Sequence, residues 1–254
     1  NNQKMLEQWG DLTLIEVNNY GNTETPLDDA AIDAIRMIPG VEVATPIMQM
    51  QIQGSTRIFA GRKNRYQWYA WNVTGMSADA LSKLGYTAAE GRMLTSDDEG
   101  SKKLRVMFGD RTAYDFEDTK KRWPNNRIDY WSVEEGGELP DPFFNPLETE
   151  LIYQLDPARD TAKPLTYNLE VVGIFKGDYR RGYETVYGAV MDIEDMKRIQ
   201  KEYEKANNIK KDKDAAKGYE NVKVKCITMD HVAAVEQAIH DLGFEKNMDM
   251  IFIM

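Results

Sequence analysis

The sequence predicts an α+β fold in which one βαβ unit opens the chain, a second closes it, and a long middle segment separates them. Two observations carry this reading. The stretches from Leu12 to Gln53 and from Asn221 onward each read as strand, helix, strand. Between about Asn64 and Gly218 the texture changes to aromatic strands, short helices and a long irregular excursion. Two such halves, one at each end, predict a ferredoxin-like split βαβ subdomain interrupted by an inserted mixed α/β subdomain.

The opening half runs as follows. "LTLIEV" (Leu12 to Val17) is a short strand. Thr25 is placed to cap a helix, Pro26 sits where the first turn tolerates it, and Asp28 and Asp29 suit the positive helix start. Leu27, Ala31, Ile35 and Ile38 repeat at helical spacing, and Pro39-Gly40 ends the helix. Met48, Met50 and Ile52 then alternate with Gln49, Gln51 and Gln53, the pattern of a strand with one buried face.

In the middle, "RKNRYQWYAWNVTGM" is aromatic and strand-like, and "SADALSKLG" is a short helix with Ser77 as cap and Gly85 as stop. "LRVMFG" (Leu104 to Gly109) is a strand, and "RTAYDF" starts another helix. Residues 120–146, rich in Trp, Pro, Gly and Glu, read as a long loop of the kind that binds something or moves. "ETELIYQL" and "LEVVGIFKG" are strands, and "VYGAVMDIEDMKRIQKEYEKANN" is a strand and helix with Asp192 near the helix start. "NIKKDKDAAKGYEN" has mixed charge and no apolar stripe, so it is a linker or exposed turn. In the closing half, "NVKVKCITM" is a strand and Asp230 an N-cap. Val232, Val235, Ile239 and Leu242 form a stripe, and Gly243 stops the helix.

A net charge of −10 over 254 residues argues against nucleic acid or anionic lipid as a general partner, because both need clustered cations. The single cysteine, Cys226, shares strand parity with Val222 and Val224 and is expected in the core. No apolar run approaches the roughly 20 residues of a membrane helix, and no signal peptide opens the chain. The polar "NNQKMLEQWG" and the apolar "MDMIFIM" at the two ends give the sequence the look of a piece of a longer protein.

The search for chemistry yields few groups. His231 and His240 are nine positions apart, not at the i, i+4 spacing of a zinc-binding helix. Glu134, Glu135 and Glu138 could hold a hard cation or be a solvated loop, and they lack the alternation of a calcium loop. Asp29 and Asp33 share a helix face. Asn72-Val73-Thr74 fits a glycosylation sequon. Tyr66, Trp68, Tyr69 and Trp71 could stack on a sugar or a base, or pack as strand residues. There is no phosphate-cradling glycine loop and no nucleophile elbow. The reading is of no enzyme: catalytic residues none, cofactor-binding residues none, metal ligands none.

The order of segments carries a resemblance. "QWGDLTLIEVNNYG", "LDDAAIDAIRMIPGVEVATP", "TGMSADALSKLGYTAAEGRMLTSDDE" with its Gly91-Arg92 pair followed by acidic residues, "LRVMFGDRTAYDF", "FNPLETELIYQLD", "LEVVGIFKG", "VYGAVMDIEDMKRI" and "VKVKCITMDHVAAVEQAIHDLGFE" follow one another. In this order they resemble the extracytoplasmic (periplasmic) domain of a MacB-like ABC transporter permease, a group that also carries FtsX-like segments. Residues from about Phe116 to Glu138 are longer and more aromatic than that family's pattern, and the linker near Lys210 also departs from it.

The resemblance implies a porter-like subdomain from residues 1–64 and 218–254, with 65–217 inserted. It implies a domain on the periplasmic or extracellular side of the cell inner membrane, with a membrane helix before Asn1 and more after Met254. The implied partners are an ABC ATPase subunit or fused ATPase domain, a periplasmic adaptor protein, and a second permease in a homodimer or pair. The implied function is non-catalytic coupling of ATP-driven helix movement to export or to a periplasmic partner. Alternatives are a ligand-binding module, a hydrolase or metal enzyme using the acidic loop, and a permease domain that releases lipoproteins or regulates cell-wall hydrolases.

Overall fold

The computed structural model describes residues 11–19, 24–160, 162–211 and 218–246. The expectations for the first ten residues, for 212–217 of the linker and for 247–254 lie outside them. The fold is α+β with mixed sheet pairing. By contacts the chain divides into two compact units. One comprises the described parts of Asn1–Met48, Asp79–Gly85 and Lys211–Met254, the other Gln49–Ala78 and Tyr86–Lys210.

In the first unit the strands are β1 (Leu14–Asn18), β2 (Val41–Gln49, through Met48), β12 (Asn221–Cys226) and β13 (Glu245–Lys246). They lie in the order β13-β1-β12-β2, with every neighbouring pair antiparallel. β1 and β2 therefore run the same way with β12 between them, which is the split βαβ arrangement. Helix α1 (Asp29–Arg36) connects β1 to β2, and helix α4 (Val232–Asp241) connects β12 to β13. Ile15 and Val17 of β1, Val222, Val224 and Cys226 of β12, Ile32 and Ile35 of α1, and Val235 and Ile239 of α4 meet in one core. Cys226 is fully buried there, and burial raises its thiol pKa.

Several local expectations are corrected. The cap of α1 is Asp28, not Thr25: its carboxylate accepts from the Ala31 amide at 2.9 Å. Leu27 is excluded from the helix because its backbone bridges to Gly218 and its carbonyl accepts from the Tyr219 amide. Asp28→Ala is expected to cost about 1 kcal/mol of unfolding free energy, read from denaturant titration; an unchanged midpoint would argue against this cap. The strand after Gly40 is Val41–Gln49 rather than Met48–Gln53, because β12 supplies partners from Val41 to Ile47. Asp230 does not cap α4; it lies in a 3-10 turn, Met229–His231, that precedes the helix. Leu242 lies beyond the helix and is exposed.

The second unit carries β3 (Thr56–Ala60), β4 (Tyr66–Tyr69), β5 (Val73–Met76), β6 (Ala88–Gly91), β7 (Leu104–Phe108), β8 (Glu117–Asp118), β9 (Leu151–Leu155), β10 (Leu165–Phe175) and β11 (Ala189–Asp192). They pair in the order β5-β11-β7-β10-β9-β3-β4-β8, with β6 also on β10. The β5–β11 and β7–β10 pairs are parallel and the rest antiparallel. The helix of this unit is α3 (Ile193–Ala206); the short helix α2 (Ala78–Lys83) belongs from Asp79 onward to the first unit. Asp192, expected near the helix start, is the cap of α3: it accepts from the Glu194 amide and also from the Ala78 amide. Gln51, Gln53 and Gly54 use no strand partner. The Gln200 side chain bonds both backbone groups of Gln51, and the Tyr203 hydroxyl accepts from Gln53 and Gly54. "RTAYDF" forms only a 3-10 turn, Thr112–Asp115, because Phe116 turns to extended backbone and enters the core.

Candidate functional site

The expected aromatic group divides by strand alternation. Trp68 of β4 is buried against Phe108 and Phe116, and Tyr66 stacks on Phe143 with centroids 4.9 Å apart. Tyr69 and Trp71 face outward. Trp71 meets Tyr183, which meets both Tyr179 and Tyr187. The Tyr187 hydroxyl lies 3.3 Å from that of Tyr130, whose ring packs on Tyr114 and Trp131. Tyr69, Trp71, Tyr179, Tyr183 and Trp131 are each at least half exposed. This belt is assembled from 69–71, 114–131 and 179–187. Sequence reading missed the last segment, although Tyr179, Tyr183 and Tyr187 at spacings of four were a visible signal.

Beside the belt lies a cleft of about 280 Å³ lined by Gln67, Trp68, Tyr69, Trp71, Asp115, Glu117 and Arg127. β8 pairs with β4 at Tyr66 and Gln67, and its register does not extend to Trp68 or Tyr69. Glu117 is held by three donors: Gln67 at 2.6 Å, Arg127 at 3.3 Å and Asn126 at 3.4 Å. Asp115 accepts from the Tyr130 hydroxyl at 2.9 Å. Burial raises the Asp115 pKa, with Tyr130 opposing. Burial also raises the Tyr130 pKa, helped by the hydroxyl of Tyr187.

The remaining sequence candidates are placed elsewhere. Glu134, Glu135 and Glu138 are exposed, and no group of three metal-ligating side chains occurs among the described residues. Asp33 pairs with Arg36, and Asp29 accepts from the Tyr219 hydroxyl. His231 has its Nδ1 2.8 Å from the Thr228 hydroxyl, and it packs against Gly40 so closely that a Cβ there would lie 2.6 Å from its ring. His240 is exposed on α4. Asn72 is buried and donates its side-chain amide to the Tyr187 carbonyl at 2.7 Å, so the nitrogen a glycan would need is already used.

The Gly91-Arg92 pair acquires a physical reason. Gly91 has φ +67, and an added Cβ would lie 2.3 Å from the Val172 carbonyl oxygen. The close approach aims Arg92 at Asp98, whose carboxylate it grips at 2.8 and 2.7 Å. Arg105 adds a third bond at 3.0 Å and the Thr95 amide a fourth. Arg92 foremost holds the Asp98 carboxyl well below the usual carboxylate range.

Exposed Tyr and Trp with a few fixed polar groups are the composition of recognition surfaces. The fold is that of an α+β domain, and this surface is its most aromatic exposed region. The chain belongs to the family of MacB-like periplasmic core domains, whose model matches residues 1–242. It is thus a periplasmic domain of an ABC transporter permease, a class that works with an ATPase.

Among solved structures, the chain is similar to the periplasmic region of MacB from Actinobacillus actinomycetemcomitans, with 13% identity and a TM-score of 0.50 over 93% of this chain and 86% of that one. It is also similar to the extracellular domain of the noncanonic ABC-type transporter YknZ from Gram-positive bacteria, with 12% identity and a TM-score of 0.49, covering 92% and 100%. No curated protein sequence matches the chain. No described helix is long and apolar enough to cross a membrane.

Proposed function

We propose that the domain couples ATP-driven movement of permease membrane helices to export or to a periplasmic partner, without chemistry of its own. The first unit serves as a porter-like platform on the inner membrane, and the second meets what is moved or signalled. One observation carries the reading. β13 lies beside β1 and antiparallel to it, with Val17 opposite Lys246 and Asn18 opposite Glu245. The start of β1 and the end of β13 therefore lie at the same end of one sheet. A displacement applied there moves a packed body, and packed interiors deform little.

The test uses the full permease with its ATPase. Spin labels at Asp33→Cys and Glu135→Cys, both exposed, report the distance between the units. Cys226 is fully buried and should stay unlabelled. The distance distribution is expected to change between nucleotide-free and ATP-bound states. An identical distribution in both would defeat the coupling reading.

A further inference from the structure

We propose that the cleft between β4 and residues 115–127 is a saccharide-binding site. It takes a neutral polyhydroxylated ring, with its C–H face on Trp71 or Tyr69 and its hydroxyls on Gln67, Glu117 and Arg127. The inference stands on the cleft alone and is independent of the coupling reading.

The lining selects this class by elimination. All seven lining residues are aromatic or polar, and none is aliphatic, so an acyl chain or other flexible hydrophobe finds little to pack on. Two carboxylates face a single guanidinium there, which disfavours an anion. A cation fares no better. Glu117 already accepts from Gln67, Asn126 and Arg127, and Asp115 already accepts from Tyr130. Those bonds, and the Arg127 charge beside Glu117, leave a cation less net attraction than two unpartnered carboxylates would offer.

A sugar ring needs none of these bonds broken. Its axial hydrogens lie on an aromatic face, and its hydroxyls both donate and accept, so they can join carboxylate, amide and guanidinium groups already bonded to one another. Trp71 is 59% exposed and Tyr69 53% exposed, while Trp68 beneath is fixed by Phe108 and Phe116. The tilt of 57° between Trp71 and Tyr183 leaves the two rings unstacked. Trp68, held by its ring contacts, gives the cleft a floor already in place before binding, which lowers the ordering cost. The belt continues through Tyr183 to Tyr179 and Tyr187, which favours an oligosaccharide over a single ring.

The 254-residue chain is titrated with the β-1,4-linked tetramer of N-acetylglucosamine, with cellotetraose and with maltotetraose. Tryptophan fluorescence and saturation-transfer NMR follow binding, and spermidine serves as the cationic probe. At least one saccharide is expected to bind saturably, with Trp71→Ala weakening it about tenfold. Arg127→Ala should weaken it as well. Met37→Ala, on an exposed residue of the other unit, should leave it unchanged. Circular dichroism verifies that each variant is folded. No saturable signal from any saccharide overturns the proposal, as does binding that survives Trp71→Ala. Tighter binding of spermidine than of every saccharide overturns it in favour of a cation site.

Discussion

Asp98→Asn is expected to lower the melting temperature at neutral pH by roughly 5–10 °C, from a loss of about 3 kcal/mol. The Asp98 side chain is 3% exposed and accepts four hydrogen bonds, three of them from two guanidinium groups. Asparagine keeps the shape but offers one acceptor and turns an N–H₂ group toward cationic donors. Arg92 and Arg105 are half and one-third exposed, so water recovers part of the loss, and the expected cost is below that of breaking a fully buried pair.

The pH dependence has a definite sign. The Asp98 pKa is lowered in the folded state, so its contribution is present above the ordinary carboxylate value near 3.9 and is lost as pH falls below it. The gap between wild type and Asp98→Asn should therefore be largest near pH 6–7 and shrink toward pH 2. Thermal unfolding followed by circular dichroism at both ends of that range measures it. A gap of equal size at both would mean that the carboxylate charge is not what holds this turn.

The parts of the fold that sequence revealed are those governed by local physics. α3 was legible because Asp192 stands before a helix-length run with Ile193, Met196, Ile199 and Tyr203 on one buried face. β7 and β9 were legible as short apolar runs between turns, and β10 from Leu169 onward; its earlier residues are set by pairing with β9. Misreadings arose where a distant partner decided the outcome. The alternation of Met48 to Gln53 is a sound strand signal, but Gln200 and Tyr203 satisfy the backbone there instead. Thr25 suits a cap and Asp28 the positive helix start, but the bond from Tyr219 to the Leu27 carbonyl holds Leu27 outside the helix, so Asp28 serves as the cap. The cleft was half visible. Tyr69 and Trp71 were singled out, but Asp115, Glu117 and Arg127 come from a stretch with no period to read, and strand pairing 50 residues apart in sequence delivers Glu117 to Gln67.

Phe116→Ala is the core substitution expected to cost most, about 3–5 kcal/mol. Phe116 is fully buried and sits edge-on to Phe144, with ring centroids 4.8 Å apart and planes at 85°. It also packs on Trp68 and Phe108. Removing the ring loses its transfer free energy and leaves a void lined by three aromatic rings that are each fixed by other neighbours, so collapse is limited. Its chain neighbours Asp115 and Glu117 both line the cleft, so the same ring that fills the core also anchors the segment that supplies the polar side of the site. Phe116→Leu, which retains much of the volume, should cost less than about 2 kcal/mol, and Trp123→Ala, at a highly exposed position, should fall within about 0.5 kcal/mol of wild type. Denaturant titration gives the three values, and the tryptophan emission of folded Phe116→Ala should shift to the red as Trp68 gains contact with water. A Phe116→Ala loss no larger than that of Trp123→Ala, with unshifted emission, would show that Trp68 and the cleft floor hold their places without this ring.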